Sequence, residues 1–140
     1  MNLNIIVLKL FIAVVCGVVI GLEREMQDKA AGLRTHILVC LGACLFGMLG
    51  LTLVAEYKNA DILRLAQGLL IGIGFLGAGV IAREGTSIKG LTTAAGIWVM
   101  GAVGLAVGVG SYRIAIIGTI VSFLTITLFG RVENRFKNKF

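Results

Sequence analysis

Three polar side chains, spaced by three residues, open an otherwise apolar stretch of the chain: Asp61, Arg64 and Gln67. On a helix this spacing places all three side chains on one face, and Asp61 also suits the N-cap position. Burying Arg64 and Gln67 in lipid hydrocarbon would be costly, so we expect them to face the interior of a helical bundle. There they would form either an intramembrane polar pocket for an ion or small solute, or a structural clamp.

A second polar set flanks other apolar stretches. Glu23, Arg24 and Glu25 are consecutive, and consecutive helical residues point about 100° apart, so at least one must face other helices. A carboxylate there needs an arginine, a metal ion or a proton as its partner, and we predict Arg34. The charged residues and threonines at this end are predicted to line one mouth of the bundle: Glu23, Arg24, Glu25, Arg34, Thr35, Arg83, Glu84, Thr92 and Thr93.

The single histidine, His36, does not make a metal site by itself. We predict a hydrogen-bonded residue at the boundary of the bundle, with pH sensing as the alternative.

Cys40 and Cys44 are four residues apart on one helix face, the spacing of a possible metal pair. Because no further thiol or imidazole has a ligand spacing, we favour small packing residues, and the identity of any metal stays open.

A glycine-rich run from Gly72 to Gly79 matches the GxGxxG pattern of dinucleotide-binding proteins. That fingerprint requires a preceding strand and a following helix, whereas this run lies inside one apolar stretch. Glycines there let another helix or a partner subunit approach closely, so we predict helix packing at Gly68, Gly72, Gly74, Gly77 and Gly79. The pairs Gly17–Gly21 and Gly104–Gly108 are predicted to allow close helix packing for the same reason. The alternative is that the helix unwinds to expose its carbonyl groups to an ion.

Five apolar stretches of roughly 20 residues must position these groups. The chain has 140 residues, 58% hydrophobic and 14% charged, against about a quarter charged in soluble domains. The stretches run approximately over residues 3–22, 35–54, 62–82, 91–109 and 112–129. We therefore predict an all-α integral membrane protein with about five transmembrane helices. A re-entrant hairpin for the last two stretches is the main structural alternative.

The basic residues indicate how such a bundle is oriented. Five spans would place nine lysines and arginines on one side: Arg24, Lys29, Arg34, Arg83, Lys89, Arg131, Arg135, Lys137 and Lys139. The other side would receive Lys58 and Arg113, with Lys9 and Arg64 snorkelling toward it from inside their spans. We expect the N-terminus outside and the C-terminus in the cytoplasm. Because these residues flank apolar spans, the net charge of +6 does not indicate nucleic-acid binding.

No nucleophile with a partner base, P-loop or metalloprotease helix occurs in the sequence, so we expect neither an enzyme nor a bound cofactor. Residues 1–130 are predicted to form one transmembrane domain and residues 131–140 a basic cytoplasmic tail. The lipid bilayer is the expected partner, and the glycine faces make a homodimer plausible.

These residues also give the chain a resemblance to the MgtC/SapB family of bacterial inner-membrane proteins, over roughly residues 5–130. The matching blocks are Gly21-Leu22-Glu23-Arg24-Glu25, Ala31-Gly32-Leu33-Arg34-Thr35-His36, the Asp61, Arg64, Gln67 set with the glycine run after it, and Lys89-Gly90-Leu91-Thr92-Thr93-Ala94-Ala95 with Trp98.

The resemblance implies a protein linked to magnesium homeostasis, growth in low magnesium and survival inside host cells, hence to virulence. It implies a regulator acting through a membrane-protein partner such as the F-type ATP synthase; a cation or solute transporter is the alternative. The chain departs from the family at Ala30, where proline is usual, and at Phe140, where longer members continue into a soluble domain. We therefore expect the short, membrane-only form.

Overall fold

A computed structural model describes residues 2–84 and 86–137. Helices dominate, with one short hairpin between the third and fourth long helices. The elements, in chain order, are α1 (Leu3–Met26), α2 (Leu33–Glu56), α3 (Ile62–Gly79), β1 (Ala82–Glu84), β2 (Ser87–Lys89), α4 (Leu91–Gly108), α5 (Tyr112–Leu124), a π-helical turn (Thr125–Phe129) and α6 (Gly130–Lys137).

Among the residues that the structure describes, five helical segments are long and apolar enough to cross a membrane: Leu3–Met26, Leu33–Glu56, Ile62–Gly79, Leu91–Gly108 and Tyr112–Val132. The prediction of an all-helical bundle with five candidate spans is confirmed. The last two segments have 18 and 21 residues, which favours two separate spans over a re-entrant hairpin. The glycine run does not unwind the chain, because α3 is a continuous helix through Gly79.

Local hydrogen bonds explain where the helices begin and end. Asp61 is the N-cap of α3, as predicted, since its side chain accepts a hydrogen bond of 2.8 Å from the Leu63 N–H. Helix α4 ends in a Schellman motif. Gly110 has φ +88°, its N–H donates to the Val107 carbonyl at 3.0 Å, and the Ser111 N–H donates to the Ala106 carbonyl at 2.8 Å.

The connection between α3 and α4 contains an antiparallel hairpin. Arg83 lies opposite Ile88 and Ala82 opposite Lys89. Gly90 then starts α4 with φ +89°, and an added Cβ would overlap the Val80 carbonyl oxygen, so only glycine fits this turn. The chain therefore leaves the helical conformation at Val80 and re-enters it at Leu91, which ends the third span earlier than predicted.

The core of the bundle lies between α1, α2 and α4, whereas α3 and α5 pack on its outside. Buried side chains come mainly from the three central helices: Ala13, Cys16, Ile20, Val39, Cys40, Ala43, Cys44, Ile97, Met100, Val103 and Val107. The expected packing role of Cys40 and Cys44 is confirmed, because both side chains are fully buried. Helix α3 buries only Ile73 and Gly77.

Helix α5 continues through the π-helical turn into α6 without a break, so no turn separates residue 130 from the tail. Threonine hydroxyls donate to carbonyls one turn back along this segment, for example from Thr127 to Phe123 at 2.8 Å. Such bonds compete with the regular helical pattern. The last three residues of the predicted tail, 138–140, lie outside the described residues.

Candidate functional site

A buried polar cluster lies where α1 ends and α2 begins. Arg24 from α1, His36 from α2 and Thr93 from α4 are 4%, 0% and 3% exposed. The short turn between α1 and α2 brings the end of one helix beside the start of the other, and α4 covers both. We call Glu23, Arg24, His36 and Thr93 the polar cluster; three of these four residues were predicted to line the mouth.

Arg24 is held by its neighbour in sequence. Its Nε donates to Oε2 of Glu23 at 2.5 Å, and its Nη2 donates to Oε1 at 2.9 Å. The Gln27 side chain donates a further hydrogen bond of 2.6 Å to the same carboxylate. This two-point pairing compensates the burial of the guanidinium. Arg34, the predicted partner of Glu23 or Glu25, is exposed; Glu23 pairs with Arg24 and Glu25 accepts from the Leu33 N–H, so that prediction was wrong.

His36 has one engaged and one free ring nitrogen. Nδ1 lies 2.8 Å from the Gly32 carbonyl, which only accepts, so Nδ1 carries the proton in the neutral ring. Nε2 is then an acceptor, and it is buried without a hydrogen-bond partner among the described residues. The predicted hydrogen-bonded histidine is confirmed for Nδ1. Nε2 is available to accept a hydrogen bond or a proton.

Glycines from two helices make room for the imidazole. A Cβ added at Gly21 of α1 would stand 3.2 Å from the His36 Cβ, and one added at Gly96 of α4 would stand 3.4 Å from Nε2. Thr93 lies one turn before Gly96 and therefore on the same face of α4. The unpaired nitrogen thus points at the α4 face that bears Thr93 and Gly96.

The other residues predicted for the mouth do not enter the polar cluster. The Glu25 carboxylate accepts a hydrogen bond of 2.8 Å from the Leu33 N–H and so caps α2, whose N-cap residue is Gly32. The remaining predicted residues are Thr35, which is half-buried, and Arg83 and Thr92, which are exposed. The side chain of Glu84 lies outside the described part of the chain.

The predicted polar pocket of α3 faces outward in this single chain. The Arg64 side chain is 88% exposed and that of Asp61 48%, with 3.9 Å between Arg64 Nε and Asp61 Oδ2. Gln67 is also exposed. The expectation that Arg64 and Gln67 point into the bundle was wrong for the single chain. Helix α3 instead turns the face that bears Ile73 and Gly77 toward the core.

Only one of the five glycines predicted for packing meets another helix within the chain. A Cβ at Gly77 would lie 3.5 Å from the Ala94 carbonyl oxygen. An added Cβ would meet nothing within 4 Å at the other four, which are Gly68, Gly72, Gly74 and Gly79.

The backbones of neighbouring helices approach closely at the GxxxG pairs of α1 and α4. Added Cβ atoms would stand 2.6 Å from the Ile37 Cα at Gly17 and 2.8 Å from the Leu33 Cα at Gly21. At Gly104 and Gly108 they would overlap the carbonyl oxygens of Cys40 and Cys44, respectively. These pairs bring α1 and α4 against α2 at the level of the backbone.

Lys9 lies in the interior of the bundle, which the sequence did not predict. Its side chain was predicted to snorkel to the membrane surface, but it is 5% exposed and its Nζ donates a 2.6 Å hydrogen bond to the Gly108 carbonyl. Gly108 is the last residue of α4, so the ammonium lies at the negative end of that helix. The available signal was a single lysine inside an apolar span.

In the part of the chain that the structure describes, no three His, Cys, Asp or Glu side chains are grouped in a way that could hold a metal ion. The polar cluster combines an arginine–carboxylate pair with an imidazole that has one ring nitrogen without a partner among the described residues. Such a set binds protons and hydrogen-bonding groups.

Comparison with known proteins places these residues in a family. The MgtC family model matches residues 10–135. YhiD of Escherichia coli K12, named as a candidate magnesium transporter, is 38% identical across 99% of this chain and 66% of YhiD. Protein SrpB of Synechococcus elongatus is 38% identical across 89% of this chain and 75% of its own length. Protein MgtC of Salmonella typhimurium is 40% identical across 82% of this chain and 48% of its own length.

The chain thus spans about two thirds of the length of YhiD and about half that of MgtC. No solved structure is similar enough to this chain to count as a match. The polar cluster, the α3 polar residues and the GxxxG pairs all lie within the matched residues 10–135, and the chain belongs to the MgtC family.

Proposed function

We propose that this chain is a non-enzymatic protein of the bacterial inner membrane that serves magnesium homeostasis by regulating other membrane proteins. Membership of the MgtC family and the magnesium in the name of YhiD support the link to magnesium. The F-type ATP synthase, which the family resemblance implies, is a candidate partner. The charge asymmetry supports an external N-terminus and a cytoplasmic C-terminus.

The positive charge of both buried charged side chains on α1 favours a regulator over a magnesium carrier. Lys9 and Arg24 are at most 5% exposed and lie on α1, roughly 22 Å apart at 1.5 Å per residue. Magnesium is bound through oxygen ligands, chiefly carboxylates. A dication crossing the centre of the bundle would meet the Lys9 ammonium, and the Glu23 carboxylate is already engaged by Arg24.

Backbone-level packing of the core supports the same conclusion. The central layer between Lys9 and Arg24 consists of apolar side chains such as Ala13, Cys16 and Met100, all at most 5% exposed. A carrier would have to separate helices that touch at Gly104 and Cys40. A regulator needs no such opening, because it acts through helix faces presented to its partners.

Magnesium flux into liposomes that contain only the purified chain tests the proposal. We expect no flux above that of empty liposomes from either the wild type or an Asp61→Asn variant. Flux in the wild type that Asp61→Asn abolishes would overturn the regulator and establish a path beside α3. Correct folding is checked in both proteins by a single elution peak in detergent.

Copurification tests the partner directly. The tagged chain, solubilised from magnesium-starved cells, is expected to recover a membrane protein that magnesium-replete cells do not yield. Recovery of no membrane protein under either condition would contradict the regulator. Co-elution of ATP synthase subunits would identify the partner that the family resemblance implies.

A proton-coupled solute carrier is the second candidate, and one observation favours it. The Nε2 atom of His36 is buried beside the Glu23–Arg24 pair and has no hydrogen-bond partner in the described part of the chain, an arrangement that a bound solute or a proton would complete. This alternative predicts that the purified chain takes up a solute when a proton gradient is imposed and that His36→Phe abolishes the uptake. Uptake that survives in His36→Phe would exclude this path.

A further inference from the structure

The surface of α3 that points away from the bundle carries one continuous face. We call this face the α3 stripe; it comprises Arg64, Gly68, Ile71 and Phe75, flanked by Gln67 and Gly72. The four central residues recur at intervals of four, three and four, so they align on one side of the helix. This side lies opposite Ile73 and Gly77, the buried residues of α3. Ile71 and Phe75 are 68% and 81% exposed.

Polar side chains on the α3 stripe face away from the bundle. Gln67 is exposed and roughly 8 Å along the helix from Ile62, at 1.5 Å per residue. The Arg64 Nε is 3.9 Å from the Asp61 carboxylate, a separation longer than a hydrogen bond. An amide or a guanidinium is costly wherever it faces hydrocarbon, so a polar partner at this face would be favourable.

We propose that the α3 stripe is the contact surface for a second copy of this chain, related by a twofold axis along the membrane normal. Both copies then have the same orientation, so two α3 helices run side by side and equivalent residues meet at equal depth. The Arg64 guanidinium of each copy pairs with the Asp61 carboxylate of the other. The two Gln67 amides donate to each other.

Charge complementarity selects a second copy as the occupant. Asp61 and Arg64 carry opposite charges one turn apart, so this part of the face is neutral and complementary to itself. An amide contains both donors and an acceptor, so Gln67 can pair with its own equivalent. An added Cβ at Gly68 or Gly72 meets no atom within 4 Å, which leaves room for a second backbone to approach.

Disulfide cross-linking of the full chain in membrane vesicles tests this interface. The three native cysteines are buried, so a cysteine introduced by Ile71→Cys is the accessible thiol. We expect copper phenanthroline to convert the Ile71→Cys chain into a species of twice its mass. The matched control Ile117→Cys, on α5 and 61% exposed, is expected to stay monomeric. No dimer from Ile71→Cys, equal dimer from both variants, or a product of another mass would overturn the proposal.

A charge-exchange experiment distinguishes a specific dimer from random cross-linking of chains that collide in the membrane. In the Ile71→Cys background, Arg64→Glu gives an all-acidic face and Asp61→Lys an all-basic face, so each alone is expected to lose the cross-link. Co-expression of the two variants pairs opposite charges and is expected to restore it. Failure of restoration, with both variants eluting as folded protein, would overturn the proposal.

The dimer goes beyond the proposed function, because both a regulator and a carrier can be dimeric. The cross-linking readout needs neither magnesium nor a protein partner. Its failure is therefore distinguishable from failure of the flux and copurification experiments, which bear on the regulator alone.

Discussion

Contact between α2 and α4 gives the sharpest prediction about the bundle. A methyl group added by Gly104→Ala would overlap the Cys40 carbonyl oxygen and stand 2.9 Å from both the Cys40 carbonyl carbon and the Ala43 Cβ. The carbonyl atoms belong to the backbone of α2 and cannot rotate away as a flexible side chain would. The two helices must therefore separate or shift.

Two opposing effects set the magnitude. Overpacking a well-packed core costs about 1–3 kcal/mol, whereas replacing glycine by alanine within a helix gains up to about 1 kcal/mol from helix propensity. Gly42→Ala on α2 is the matched control, because its added methyl meets nothing within 4 Å. The propensity gain is common to both variants, so the Gly104→Ala chain should be less stable than the Gly42→Ala chain by about 1–3 kcal/mol.

Unfolding by sodium dodecyl sulfate in mild-detergent micelles measures this difference. The single tryptophan, Trp98, lies on α4 and is 48% exposed, so its fluorescence reports on the environment of that helix. Equal stabilities of the two variants would refute the reasoning, since they would mean that α2 and α4 do not meet at Gly104 and Cys40.

Three further predictions concern single hydrogen bonds. Lys9→Met should lower the free energy of unfolding by about 1–3 kcal/mol, because the buried Gly108 carbonyl loses its donor; an unchanged midpoint in the same detergent titration would contradict this. Glu25→Ala should cost about 1 kcal/mol and speed amide exchange at Leu33, whereas Glu25→Gln, which keeps an acceptor oxygen, should cost less. His36→Phe should change stability by no more than about 1 kcal/mol, because the lost Nδ1 bond is offset by removal of the unpaired Nε2. A larger shift of the midpoint in the same detergent titration would contradict this.

Much of the secondary structure follows from the sequence because the bilayer restricts what can span it. Backbone groups in hydrocarbon must be satisfied within the segment, so an apolar stretch of about 20 residues forms a helix. The N-cap role of Asp61 was predictable for a similar reason, since it depends on groups within three residues of each other. The hairpin at Ala82–Glu84 and Ser87–Lys89 was not predictable in this way, because strands of three residues leave little periodic signal.

Within the candidate site, the sequence identified Glu23, Arg24 and Thr93 but misassigned the partner of Glu23. Charge type alone allowed Arg34, whereas the backbone geometry at the end of α1 placed the Arg24 guanidinium on the adjacent carboxylate. The free nitrogen of His36 was likewise invisible, because it results from three helices meeting around one ring.

The sequence by itself determined that this chain forms apolar helices of membrane-spanning length, where most of them begin, and which residues are charged within them. Only the tertiary structure decided which helix faces are internal: it placed Lys9 inside and Arg64 and Gln67 outside, and it used the GxxxG pairs of α1 and α4 rather than the glycine run of α3. The physical reason is that lipid and protein core are equally apolar, so hydrophobic periodicity cannot distinguish a face that meets lipid from one that meets another helix.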